Sequence, residues 1–172
     1  LYSVVVTNTY GSATSASAPL TVIPVRVFSP WGTIAGGFGS DAASGVAVDS
    51  AGNAFVVGHF SGTATFGATQ LTSVGARDGF LAKLNAAGQV LWVRGLGGPG
   101  FDAVNAVAVD AGGNCYLVGN YEGIAAFGSL SLTNTSASSF SDVFIAKFDT
   151  SGSTIWARSL GVAASSDLGN AI

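Results

Sequence analysis

Residues 41–72 of this chain are written a second time at residues 102–133. Laid over each other at an offset of 61, the two stretches match at 16 of 32 positions. The second half of the unit repeats as well. Residues 78–97 match residues 142–161 at 9 of 20 positions, after a three-residue insertion. A third copy opens at Asp167. A unit of this length in tandem is one supersecondary module, which needs its neighbours to bury its faces. The repeats run 41–101 and 102–166.

Each unit predicts four apolar strands. They are Gly45–Val48, Ala54–Val57, Phe80–Leu84 and Val90–Arg94 in the first copy. Ala106–Val109, Cys115–Val118, Phe144–Phe148 and Thr154–Arg158 match them in the second. No stretch joins a helix cap to a 3.6-residue period. Ala54, Phe55, Val56 and Val57 are apolar in succession, so both faces of that strand are expected to be buried. The connections agree. Asp49–Asn53 and Asp110–Asn114 join the first two strands, and Asn85–Gly88 and Asp149–Gly152 join the last two. An Asx side chain bonds the backbone two residues on, and the glycine takes the left-handed conformation that closes the hairpin. The units are therefore expected to be all-β, built of antiparallel hairpins.

Asp-x4-Val-Ala-Val-Asp-x2-Gly-Asn-x-[Phe/Tyr]-x-Val-Gly is carried by Asp41–Gly58 and Asp102–Gly119. Phe66-Gly67 and Phe127-Gly128 follow. Next come Asp-x-Phe-x-Ala-Lys at Asp78–Lys83 and Asp142–Lys147, and Gly-x3-Trp-x-Arg at Gly88–Arg94 and Gly152–Arg158. This pattern resembles the bacterial seven-bladed β-propeller repeat over residues 31–172. The resemblance implies four-stranded blades around a channel, of which two are complete here, so most of a ring of 4–8 blades would lie outside these residues. Trp31 stands 61 residues before Trp92, which marks 25–40 as an outer strand of a preceding blade or a closing segment.

Residues 1–23 differ. Tyr2, Val4 and Val6 alternate, a turn is expected at Asn8–Gly11, and Leu20, Thr21 and Val22 close a second strand. This resembles the last two strands of an immunoglobulin-like domain. The resemblance places Tyr2 at the tyrosine corner, with Val4 where a disulfide cysteine would stand. Residues 24–30 form the linker and the start of an outer strand. A chain without methionine that opens inside a strand reads as a piece of a longer protein.

Only 9% of residues are charged, and the net charge is −3. That argues against nucleic acid, which needs basic stripes. No apolar run reaches the ~20 residues of a membrane helix. Cys115 aligns with Ala54 inside an apolar strand and is read as a small buried hydrophobe. His59, unrepeated, is read as a strand-end residue.

Twelve of the fifteen charged residues fall at repeat positions, Asp149 among them opposite Asn85. A charge that recurs in every unit serves the unit, whereas a reaction needs different groups in different roles. Asp41, Asp102 and Asp167 precede the innermost strand of each copy. In a ring they would make a circle of carboxylates near one mouth of the channel, which suits Ca²⁺. The alternative is that each accepts N–H bonds within its own crossover. Loops 49–53 and 110–114 offer too few oxygens for calcium. Trp92 and Trp156 share a strand face with Arg94 and Arg158, as cation–π packing or as a sugar platform. Asp149–Trp156 misses the spacing of the sialidase aspartate box and lacks the threonine of quinoprotein dehydrogenase repeats, so no cofactor is carried over.

The sequence thus points to a non-catalytic binding, adhesion or spacer module, secreted or at the cell surface, with a protein or carbohydrate ligand. The alternative is a polysaccharide-acting hydrolase or lyase whose active site lies in other blades. A Ca²⁺-stabilised structural unit is a third reading. The stretches 64–74 and 125–139 vary between copies, and recognition is expected there.

Overall fold

The computed structural model describes residues 5–14, 32–134, 140–161 and 165–172. Tyr2, Val4, Leu20–Val22 and Trp31, and the expectations placed on them, lie outside the described residues. The chain divides into two compact units, Leu1–Pro30 and Trp31–Ile172. The described residues are all-β, in several small antiparallel sheets.

In the first unit, β1 (Val5–Asn8) pairs with β2 (Gly11–Thr14) across the turn Thr9–Tyr10. The expected turn is present.

The second unit opens with β3 (Ala35–Gly37). Strands β4 (Ala42–Val48), β5 (Ala54–Phe60), β8 (Asp78–Leu84) and β9 (Val90–Leu96) then form one antiparallel sheet in the order β4-β5-β8-β9. Between its second and third strands stand β6 (Thr63–Phe66) and β7 (Thr69–Thr72), a hairpin. The next repeat builds the same object. Strands β10 (Ala103–Val109), β11 (Cys115–Glu122), β14 (Ser141–Phe148) and β15 (Thr154–Leu160) order as β10-β11-β14-β15, and β12 (Ile124–Phe127) with β13 (Leu130–Thr133) form the hairpin. Even the irregularities repeat. The register shifts at Ala43/Gly45 in β4 and at Val104/Ala106 in β10. It shifts again at Lys83/Leu84 and at Lys147/Phe148.

The eight strands expected for the two repeats are present, and each runs beyond its apolar core. The hairpins are a difference: within the variable stretches, 64–72 and 125–133 are paired strands, while 135–139 lie outside the described residues. Thr63–Phe66 alternates, with Ala64 and Phe66 buried and both threonines exposed. A two-residue turn led by Gly67 at φ 60° returns the chain, and Gly128 at φ 64° does the same in the copy. Glycine at the first turn position is what a two-residue hairpin loop requires.

The four Asx turns share one geometry. The Asp49 carboxylate accepts N–H bonds from Ala51 and Asn53, and Asp110 does so from Gly112 and Asn114. Asn85 and Asp149 repeat the pattern in the other two turns. The four turn glycines lie at φ 77–82°.

Two core clusters are present among the described residues; one, with Phe60, Phe66, Phe80, Leu84 and Val93, belongs to the first repeat alone, and the other joins the two four-stranded sheets. Phe55, Val57, Leu81 and Leu96 of the first join Val104, Val107 and Leu117 of the second in one cluster. Cys115 belongs to it, is fully buried, and its thiol is pushed up to about 12 by burial. β5 buries Phe55 and Val57 completely and their neighbours partly, whereas β8 is buried at every position. In the next repeat the order reverses: β11 is buried at all but its second and last positions, whereas β14 alternates along most of its length.

Candidate functional site

Each repeat is entered through an aspartate. Asp41 stands just before β4 and accepts the Gly37 N–H at 2.7 Å and the Ser61 N–H at 3.2 Å. Asp102, before β10, accepts the Gly98 N–H at 2.6 Å and the Glu122 N–H at 3.1 Å. One carboxylate thus ties the crossover to the far end of the second strand. The backbone N–H of Asp102 donates to Arg77 O at 2.8 Å, and that of Asp167 donates to Ser141 O at 2.7 Å. These bonds staple the start of one repeat to the third strand of the repeat before it.

The neighbour of Asp102 is Asp78. Both are almost wholly buried, at 2% and 3% exposure. Gly97 lies between them: a methyl group added there would stand 2.7 Å from Asp102 Oδ2 and 3.0 Å from Asp78 Cγ. Burial raises the Asp102 pKa to about 6, with the charges of Asp78 and Glu122 adding to it and the two N–H bonds opposing. Burial also raises Asp78, against N–H bonds from Val74 and Gly75. The turn carboxylates shift the other way. The Asn114 side chain holds Asp110 down at about 2, and the Ser151 hydroxyl leads the lowering of Asp149.

Trp92 lies on the interface between repeats. Its ring is 6.1 Å from Phe55 in a T-shaped contact, and a methyl group on Gly152 would stand 3.0 Å from it. Arg94 sits 5.2 Å over the Trp92 ring and donates to Gly152 O and Ser151 O at 3.1 and 2.9 Å. The tryptophan–arginine pair of one repeat therefore caps the last turn of the next. Trp156 meets Tyr116 at 6.3 Å, and Arg158 beyond it is exposed. Each sheet also carries a lysine over an aromatic ring at 4.8 Å, Lys83 on Phe55 and Lys147 on Tyr116. Each lysine is ion-paired with its first-turn aspartate, at 3.8 and 3.5 Å.

His59 lies half-buried near the end of β5, opposite Ala42 and Gly79. Burial and then the Arg77 charge lower its pKa, against Asp41. Among the described residues, no three His, Cys, Asp or Glu side chains gather as a metal site would require.

Two features escaped the sequence reading. An apolar groove of about 220 Å³ opens beside Asp41 over Val56, Phe66, Phe80 and Leu84. The second is the Asp78–Asp102 pair. A glycine shortly before the crossover aspartate (Gly36, Gly97, Gly161) recurs in the sequence and could have flagged it.

No family model matches the chain. Comparison with curated proteins found no match either.

Proposed function

We propose that residues 31–172 are part of a β-propeller of the bacterial seven-bladed repeat type, that residues 1–23 close an immunoglobulin-like domain, and that the protein is a non-catalytic module for binding, adhesion or spacing, secreted or at the cell surface. The observation that carries this reading is where the recurring charges go. Asp41 and Asp102 tie crossovers, Asp49, Asp110 and Asp149 close turns, Lys83 and Lys147 pair with those turns, and Arg94 caps the next repeat. Charges engaged in the scaffold are not free to act as acid, base or nucleophile. Two repeats with the same sheet order and the same bulges also fit successive blades.

Asp78 and Asp102 form the carboxylate pair with raised pKa values, and at 3% and 2% exposure they are closed to substrate. No observation favours the polysaccharide-cleaving alternative. Calcium is the one cofactor the acidic crossovers invite. Both oxygens of Asp41 and of Asp102 already accept N–H bonds, so only their remaining lone pairs are open to a metal.

The test is calorimetric titration of Ca²⁺ and of a panel of polysaccharide fragments into the protein, with an assay for cleaved product. Saturable sugar binding without cleavage makes it a carbohydrate-binding module. Calcium binding alone assigns the Asp41, Asp102 and Asp167 crossovers a metal-dependent structural role. Silence for both points to protein adhesion or spacing. Cleavage of any fragment overturns the reading.

A further inference from the structure

Three charged residues of this chain, Arg26, Arg77 and Glu122, fall outside the shared repeat positions, and the last two meet at one place. Arg77 and Glu122 flank Phe101. The Arg77 guanidinium lies 5.7 Å over the Phe101 ring, and Glu122 Oε2 accepts the Phe101 N–H at 3.2 Å. Phe101 is 51% exposed. The two charges form no ion pair with each other among the described residues, whose ion pairs are Lys83–Asp49 and Lys147–Asp110. Arg77 Nε is buried and has no hydrogen-bond partner.

The place is built by contacts between the repeats. Arg77 and Phe101 form an isolated parallel bridge, and Asp102 N–H donates to Arg77 O. Gly75 packs so closely on Gly98 and Pro99 that a side chain there would collide with their backbone. Val74, 73% exposed, borders the loop. The arrangement has no copy: Ser40 stands at the position of Phe101, Ser61 at that of Glu122, and Ser141 at that of Arg77. The arrangement is therefore particular to this one junction between repeats.

We propose that Phe101, Arg77 and Glu122 form a binding subsite for a neutral pyranose sugar. With the guanidinium over the ring on one side, the exposed part of Phe101 still presents apolar ring surface to the apolar side of a sugar. A guanidinium edge supplies donors and a carboxylate supplies acceptors, which together match neighbouring hydroxyls. The presence of both signs within one contact disfavours an anionic or cationic ligand, since one of the two groups would repel it. The subsite rests on the binding-module reading above and gives it a location, away from Trp92 and Trp156.

The test is titration of cellohexaose, xylohexaose and mannohexaose, with polygalacturonate as the acidic comparison, followed by calorimetry. The variants are Phe101→Ala, Glu122→Gln and, away from the subsite, Trp156→Ala, each checked to unfold cooperatively well above the titration temperature. The expected result is saturable binding of at least one neutral hexaose, weakened tenfold or more by Phe101→Ala and several-fold by Glu122→Gln, with Trp156→Ala unchanged. Glutamine keeps an oxygen for the Phe101 N–H, so its effect reports on the ligand. Binding lost with Trp156→Ala but kept with Phe101→Ala overturns the subsite and leaves the binding module standing. Preference for polygalacturonate overturns the neutral-sugar assignment. No binding of any sugar overturns the subsite, while the adhesion or spacer reading survives. Cleavage of a hexaose overturns the non-catalytic reading without moving the site.

Discussion

At Gly97 the backbone runs at φ +151° between two buried carboxylates, and any side chain would collide with Asp102 or Asp78. Gly97→Ala is expected to destabilise the protein by about 2 kcal/mol or more, through backbone strain and displaced carboxylates. Urea unfolding of variant and wild type measures it, and a change under half that size would remove the steric argument. The same pair makes stability depend on pH. Asp102 has a native pKa near 6 against an ordinary value of 3.8. Between those values the native state holds a proton that the unfolded chain has released, so stability falls as pH rises through the window. The penalty at neutral pH is on the order of 3 kcal/mol. His59, held low, works the other way, so the clean quantity is the difference between wild type and Asp102→Asn. Wild type should gain on the variant as pH drops from 7 to 4. Below 4 the turn carboxylates, whose pKa values are lowered, lose their contribution as they protonate. A wild-type-minus-variant difference that is flat from pH 7 to 4 would show that Asp102 is ionised throughout.

The Asx turns and the four main strands could be read from the chain because each has a local cause: a side chain that bonds its own backbone, a glycine with positive φ, an apolar run between them. The β6–β7 hairpin was harder. Thr63–Phe66 alternates over only four residues, and a period of two is ambiguous at that length. Its partner β3 lies far back in the sequence, with Gly36 opposite Thr65. The copy repeats the contact as Gly97 opposite Ala126, so the hairpin docks on the segment leading into its own repeat. Trp92 and Trp156 show the same limit. They occupy one repeat position, yet Trp92 packs on Gly152 and under Arg94, whereas Trp156 meets Tyr116. Trp92→Ala should therefore cost about 2–3 kcal/mol and Trp156→Ala roughly 1. Equal losses in thermal or chemical unfolding would mean that the contact between repeats adds nothing beyond the strand.

For the whole molecule, the repeat fixed what each sheet is and left open what each sheet meets. Subtraction of the recurring charges singles out Arg77 and Glu122 in the sequence, but their convergence on Phe101 comes from packing between repeats, which no single unit encodes. The same packing exposes a mismatch at the outer faces. Val107 is 9% exposed where the sheets meet, and Val46, at the same repeat position, is 65% exposed. Leu96 is 3% exposed, and its counterpart Leu160 is 57% exposed. Apolar positions that one copy buries and the other leaves open are available for association. The 172-residue chain is therefore expected to self-associate with rising concentration, through faces that already complement each other within the chain. A contact joining unlike faces extends instead of closing on itself unless its rotation completes a ring. Sedimentation velocity over a concentration series is the measurement. Val46→Lys and Leu160→Lys should each lower the average mass, and mixing the two variants should yield a capped pair, because each keeps the face the other has lost. A chain that sediments as a monomer throughout the series, or whose association ignores both substitutions, would show that these faces do not mediate association.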